Sequence, residues 1–386
     1  MSDFKSIPGG ICAPKGFSAA GVHCGIRHNH SKLDLALIKA DVRCAGAGCY
    51  TTNKVYGAPI TVDREHLKDG YAQAIVVNSG NANTCAPNGV QLAKDTCDIV
   101  AKELGIRADD VLPSSTGVIG QAMSIEPFAR GIPEAAAKLA ADEAGSHDAA
   151  TAIMTTDTHP KEIALEFAVG GKAVRIGAIA KGSGMIHPNM ATMLLFMTTD
   201  AKVAPAALQK ALSTVVPATF NQISVDGDTS TNDTVLLLAS GASGIEPDPD
   251  EFNELVAKAT ASLARQIIGD GEGASHDIRV KVTGATTEEA ALACGRAVAA
   301  SNLLKCAISG NDPNWGRIVS SLGTVPPDVA PYDSEKVTVD VNGVRICENG
   351  GAGRDRSEVD MTPREVHIDI DLHAGKAEAT VWTDDL

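Results

Sequence analysis

The sequence predicts an α/β fold with mixed sheets. Short apolar runs of strand length recur between longer segments of helical spacing, and the last part of the chain alternates apolar and polar residues as half-buried strands do. Residues 74–77 and 173–179 read as strands. Residues 90–104, 133–141, 205–216, 251–268 and 286–300 carry apolar positions three and four apart, the signature of helices. Residues 337–341, 365–371 and 377–382 alternate, and His373-Ala-Gly-Lys376 reads as a hairpin turn between the last two. Pro- and Asp-rich breaks at 244–250 and 325–333, and a small-residue stretch at 145–150, read as loops.

Composition bounds the function. A chain of 386 residues, 44% of them hydrophobic, can bury one large core or two ordinary ones. Aromatic residues make up only 3%, so bases would find few stacking platforms, and a formal charge of −15 repels a phosphate backbone. No nucleic-acid partner is expected. No run approaches the roughly 18 to 20 apolar residues of a membrane span, and the opening Met-Ser-Asp-Phe-Lys lacks a hydrophobic signal core. The expectation is a cytoplasmic protein without a membrane partner. Nine cysteines, scattered from Cys12 to Cys347 without C-x-x-C spacing, point to reduced thiols in the core.

One segment stands apart: Lys181-Gly-Ser-Gly-Met-Ile-His-Pro-Asn-Met-Ala-Thr-Met-Leu-Leu195. It sets Thr192 after the small Ala191, between a glycine-rich turn and the apolar run 192–200, which reads as a buried strand. Two readings are open. One is a plain buried strand after a turn. The other is a self-cleavage site: Gly182 and Gly184 permit strained backbone, Ala191 leaves its carbonyl open, and scission at 191/192 would give Thr192 a free α-amine of pKa about 8 beside its own hydroxyl. Nucleophile and base would then lie on one residue.

The segment resembles the self-processing site of the ornithine acetyltransferase (glutamate N-acetyltransferase) family. Further blocks resemble that family in order along nearly the whole chain: Val77-Asn-Ser-Gly-Asn-Ala-Asn-Thr-Cys85, Ser114-Ser-Thr-Gly-Val-Ile-Gly120, Met154-Thr-Thr-Asp-Thr158, Ser224-Val-Asp-Gly-Asp-Thr-Ser-Thr-Asn-Asp233, Gly269-Asp-Gly-Glu-Gly-Ala274 and Gly310-Asn-Asp-Pro-Asn-Trp-Gly-Arg-Ile318. The resemblance implies a layered αββα-type sandwich with N-terminal-nucleophile-like processing. It implies two interlocked fragments, residues 1–191 and 192–386, assembled as a heterotetramer of two of each. The implied reaction moves acetyl from N2-acetyl-L-ornithine to L-glutamate through an ester on Thr192, in arginine biosynthesis, without metal or cofactor. Some members also take acetyl from acetyl-CoA.

The resemblance also assigns residues. Thr116 and Gly117 become oxyanion donors, and Thr155, Lys181, Thr192 and Glu272 touch the substrate amino acid. Their chemistry fits, because Lys181 can meet a carboxylate and Glu272 an ammonium. Read alone, 114–120 is a turn and the charged residues are ordinary surface charges. Family members usually continue past the segment matching 381–386 for over a dozen residues that include substrate contacts. This sequence ends at Leu386, so no C-terminal binding residue is assigned.

Three other features bear on function. His23, Cys24, His28 and His30 are metal-ligand types without a zinc spacing. Residues 45–54, Ala-Gly-Ala-Gly-Cys-Tyr-Thr-Thr-Asn-Lys, lack the ending of a phosphate loop and read as a turn before a strand. The 310–318 block reads as a turn or as support for a pocket. Two rival functions follow from the same sequence: an aminopeptidase-type hydrolase of the same self-cleaving architecture, and a processed but inactive binding protein.

Overall fold

The computed structural model describes residues 4–187 and 193–385. The chain divides into two compact units. The described part of the first covers residues 4–185, 193–221 and 229–267, and that of the second covers 186–187, 222–228 and 268–385.

In chain order the strands are β1 (Lys5–Ser6), β2 (Phe17–Val22), β3 (Leu35–Tyr50), β4 (Tyr71–Asn78), β5 (Val111–Ser115), β6 (Lys161–Val169), β7 (Lys172–Lys181) and β8 (Leu194–Thr199). They continue with β9 (Ile223–Ser224), β10 (Thr234–Ala239), β11 (Asp277–Ala285), β12 (Thr338–Val341), β13 (Val344–Glu348), β14 (Gly351–Ala352), β15 (Glu365–Asp371) and β16 (Ala377–Asp384). The helices are α1 (Ala58–His66), α2 (Gly89–Leu104), α3 (Glu126–Ala137), α4 (Glu143–Ile153), α5 (Pro205–Ala218), α6 (Pro249–Ile268), α7 (Glu288–Ala299), α8 (Asn302–Ser309) and α9 (Trp315–Leu322).

The first unit is built on a nine-stranded mixed sheet ordered β1-β6-β7-β8-β10-β3-β4-β5, with β2 also paired to β3. Its strands bury both faces, which the period-two geometry makes visible. Ala36, Ile38, Ile75 and Val77 join one apolar cluster with Ala149, Ala152 and Ile153 of α4. Leu35, Leu37, Ala74 and Val76 join another with Cys97 and Val100 of α2 and Phe128 and Ile132 of α3. The sheet is therefore sandwiched between helices. β8 sits near its middle, parallel to β10 and antiparallel to β7. All six of its side chains are buried, and each of its large apolar ones contributes about 1.5–3 kcal/mol by leaving water.

The second unit holds a seven-stranded sheet ordered β14-β13-β12-β15-β11-β16-β9. Ile278, Val280 and Val282 of β11 and Val366, Ile368 and Ile370 of β15 pack with Cys294 and Val298 of α7, Leu304 and Ile308 of α8, and Ile318 and Leu322 of α9. Side-chain caps start these helices: Thr287 accepts from the Ala290 N–H, Ser301 from Leu304 and Asn314 from Arg317. At the end of this sheet the Lys305 Nζ donates to the Val225 carbonyl at 2.6 Å and to Asp384 Oδ1 at 2.9 Å.

Several local expectations are corrected. Residues 373–376 do not close a hairpin: β11 lies between β15 and β16, parallel to the first and antiparallel to the second. The small-residue stretch 145–150 is not a loop but the body of α4, started by Asp142, whose side chain accepts from the Gly145 N–H. The helix expected at 133–141 begins earlier, at Glu126, and takes Pro133 into its interior. Residues 45–50 are the end of the long strand β3 rather than a turn. The remaining mixed α/β pattern is as expected. Among the described residues no single helix is long and apolar enough to cross a membrane.

Candidate functional site

The parallel pair β4 and β5 ends with Asn78 opposite Ser115, and both strands release their chain at the same sheet edge. Asn78 organises the turn that follows. Its Nδ2 donates to Ser115 Oγ at 2.6 Å, and its Oδ1 accepts the Asn81 N–H at 3.1 Å. Asn232 ties the same turn to the loop before β10, donating through Nδ2 to the Ala82 carbonyl at 2.6 Å and the Ser115 carbonyl at 2.9 Å. Three separate polar blocks of the sequence, 77–85, 114–120 and the end of 224–233, thereby meet at one place.

Thr116 and Gly117 leave β5 there. The Thr116 N–H is taken by the Asn78 carbonyl at 2.9 Å, so the group this residue can offer to an oxyanion is its hydroxyl rather than its amide. Gly117 has φ of 127°, and a Cβ on it would stand 2.7 Å from the Gly80 carbonyl carbon. Only glycine fits this conformation and this approach. Among the described residues no hydrogen bond uses the Gly117 N–H, which leaves it available as a donor.

Lys181 ends β7 facing the same place. Its ammonium is buried and donates to Thr116 Oγ1 at 3.5 Å. Beside it lies Asp157, also buried, whose Oδ1 accepts from Lys161 Nζ and from the Gly182 N–H, both at 2.7 Å, and whose Oδ2 accepts the Thr155 N–H at 2.9 Å. Burial alone would raise the Asp157 carboxyl, but the charges of Lys181 and Lys161 and the bonds from Lys161 and Gly182 outweigh it and bring its pKa to about 2. Burial pulls the Lys181 ammonium down, Asp157 opposes that pull, and the neighbouring Lys161 adds to it. Arg27 fastens the back of the site, donating through Nε to the Ser79 carbonyl at 2.9 Å and through Nη2 to the Met154 carbonyl.

Of the residues named from sequence, Thr116, Gly117, Thr155 and Lys181 all lie in the first unit. Thr116 and Lys181 touch, and Asp157 links Thr155 to the peptide that follows Lys181. Glu272 lies in the second unit, exposed in the turn after α6. Ala191 and Thr192 lie outside the described residues. Sequence reasoning passed over Asp157, Lys161 and Arg27. Asp157 lay inside a quoted block, but nothing in its spacing distinguished it from the threonines around it, and Arg27 arrives from far along the chain. The other weighed features resolve plainly. His23 Nε2 lies 3.1 Å from His30 Nδ1, and among the described residues no group of three or more His, Cys, Asp or Glu could hold a metal ion. Residues 310–314 form the turn between α8 and α9, with Asn314 as the cap of α9, and residues 315–318 open that helix.

A model of the ArgJ family matches residues 18–386. The chain belongs to the ArgJ family. The arginine biosynthesis bifunctional protein ArgJ of Bifidobacterium longum is 61% identical over 375 residues, covering 96% of this chain and 95% of that protein. Its counterpart from Streptomyces coelicolor is 45% identical over 378 residues, covering 97% of this chain and 96% of its own. Among solved structures, ornithine acetyltransferase of Mycobacterium tuberculosis, crystallised with ornithine, is 34% identical and matches 48% of this chain and 98% of that chain with a TM-score of 0.45.

Proposed function

We propose that this ArgJ-family enzyme is an acyltransferase of arginine biosynthesis that cuts itself between Ala191 and Thr192 and then carries acetyl on Thr192 from N2-acetyl-L-ornithine to L-glutamate. The observation that carries the reading is the convergence of Thr116, Gly117, Lys181 and the Asp157-held Thr155 at the end of β7, the strand that runs straight into the 181–195 motif. Family membership favours acetyl transfer over the aminopeptidase-type alternative.

In self-cleavage the Thr192 hydroxyl adds to the Ala191 carbonyl, the C–N bond breaks, and the hydroxyl proton ends on the departing nitrogen. Water then hydrolyses the ester, leaving an Ala191 carboxylate and a Thr192 with a free α-amine. In turnover that amine takes the proton as the hydroxyl attacks the acetyl carbonyl of acetylornithine. Ornithine leaves carrying the proton, and the amino group of glutamate repeats the attack on the ester. The Thr116 hydroxyl and Gly117 N–H receive the oxyanion. Lys181 receives the substrate carboxylate, with Thr155 beside it, and Glu272 the side-chain ammonium. Acetyl-CoA would serve as a second donor to glutamate. The working assembly is a cytoplasmic heterotetramer of two 1–191 and two 192–386 fragments.

The test is direct. Purified protein run on a denaturing gel should give two pieces of roughly half size, the second beginning Thr-Met-Leu-Leu, and Thr192→Ala should leave the chain whole. Incubation with acetylornithine should add one acetyl group to Thr192, detected by mass spectrometry. A cleaved protein that never acquires the adduct would be the inactive binder.

A further inference from the structure

Asp233 is a buried carboxyl to which the acetyl exchange gives no task. It closes the 224–233 block directly before β10 and has no exposed surface. Its Oδ1 accepts the Met193 N–H at 3.1 Å, and the next residue, Thr234, donates its own N–H to the Met193 carbonyl at 3.2 Å. Both backbone polar groups of residue 193 are therefore claimed by 233 and 234, in continuation of the parallel register that sets Leu194 opposite Thr234. The second oxygen, Oδ2, is buried with no hydrogen-bond partner among the described residues. The Met193 nitrogen belongs to the peptide bond that joins it to Thr192, so Asp233 addresses the peptide unit on the C-terminal side of the nucleophile.

We propose that Asp233 is a positioning residue of the self-cleaving, acetyl-transferring centre, one that fixes the peptide unit following Thr192 by accepting the Met193 N–H. The inference rests on the Thr192 reading. Burial pushes this carboxyl well above its usual range, opposed by the Met193 amide on β8, the Ser230 hydroxyl in the preceding loop, the Lys181 ammonium on β7 and the Thr51 hydroxyl after β3. The hydroxyl and the α-amine of the reaction belong to residue 192, so a chain held firmly at residue 193 limits how far both can stray from a reacting carbonyl. The buried Asp233 side chain gives the chain entering β8 a fixed anchor.

Asparagine keeps the shape and the Oδ1 acceptor, whereas alanine removes the anchor. The experiment measures the rate at which newly made chain becomes two pieces, and then kcat and KM of the processed enzyme for acetylornithine between pH 6 and 10, with Tm recorded for every variant. Asp233→Ala should slow processing and kcat on the order of a hundredfold, the cost of a misplaced reacting group, with KM little changed. Asp233→Asn, which keeps the acceptor for the Met193 N–H, should process and turn over close to wild type. Two results would overturn the proposal: Asp233→Ala working at wild-type rates, or Asp233→Asn failing while its Tm is unchanged. If Asp233→Ala does not fold, Asp233→Asn decides alone: processing and kcat well below wild type at unchanged Tm overturn the proposal. Wild-type chain that never yields a Thr192 terminus defeats the underlying reading instead, a result distinct from normal processing of the Asp233→Ala chain.

Discussion

Replacing Asp157 with asparagine withdraws the negative charge against which Lys161 and Lys181 are set. The Asp157 and Lys161 side chains are both 0% exposed and 2.7 Å apart. Removing one member of a buried pair costs about 3–5 kcal/mol, because the other charge stays in a dry environment without its counterpart. The amide also has one acceptor oxygen where the carboxylate has two, so the Thr155 N–H or the Gly182 N–H must face an NH2 group. With about 2 °C lost per kcal/mol in a chain of this size, Tm should fall by roughly 8 °C. The acid limb provides a second signature. The folded pKa of Asp157, about 2, lies below the ordinary 3.8. The stability this ionisation contributes, about 2 kcal/mol, is therefore fully present above pH 3.8 and lost as pH falls through 2. Urea unfolding at pH 7 and thermal melts between pH 2 and 6 measure both effects. Adding Lys161→Met to Asp157→Asn should recover part of the loss by removing the buried ammonium that faced Asp157. A single variant within about 1 kcal/mol of wild type, or a double variant no better than the single, would refute this account of the pair.

Thr116→Val keeps the amide bond to the Asn78 carbonyl but deletes the hydroxyl; steady-state kinetics should show acetyl transfer down about a hundredfold, and urea unfolding a loss of about 1–3 kcal/mol as the buried Lys181 ammonium gives up that acceptor. Gly117→Ala should cost about 1–3 kcal/mol or more in denaturant titration, since alanine must hold φ near 127° with its Cβ against Gly80. Asp63→Asn should stabilise the protein at neutral pH. The Asp63 carboxyl is buried in α1, neither oxygen has a hydrogen-bond partner among the described residues, and burial pushes its pKa well above 3.8. Its folded form is therefore favoured below pH 3.8 and progressively penalised as pH rises. The Tm gain should be present at pH 7 and vanish near pH 4.

Elements with strong periodicity were legible without the structure. The apolar stripe of α2, the alternation of β15 and the buried run of β8 follow from side-chain spacing, because each buries a face that spacing alone defines. The missed elements owe their form to close packing. α4 is Gly- and Ala-rich because it lies against β2 so tightly that a Cβ on Gly21 would stand 2.1 Å from the Asp148 carbonyl oxygen. Small residues there mark contact, not a loop. The far end of β3 reads as a turn for a similar reason: Gly48 exchanges both its backbone groups with the Gln209 side chain of α5. The absent hairpin after β15 is a matter of strand order, which residue alternation does not encode. In the site, the polar blocks were visible as blocks. Which members touch depends on contacts such as Asn232 to Ser115, 117 residues apart in the chain.

The order of the larger sheet bears on how this protein must be made. β8 and β10, encoded after the 191/192 bond, are wedged between β7 and β3, encoded before it. Severing that bond would cut a covalent link while leaving ladders on both flanks of the wedge intact. The halves would come apart only on denaturation, and supplying them from separate genes would demand that two strands thread into the centre of a sheet already flanked by their neighbours. A single translated chain, folded first and cut afterwards, avoids that problem.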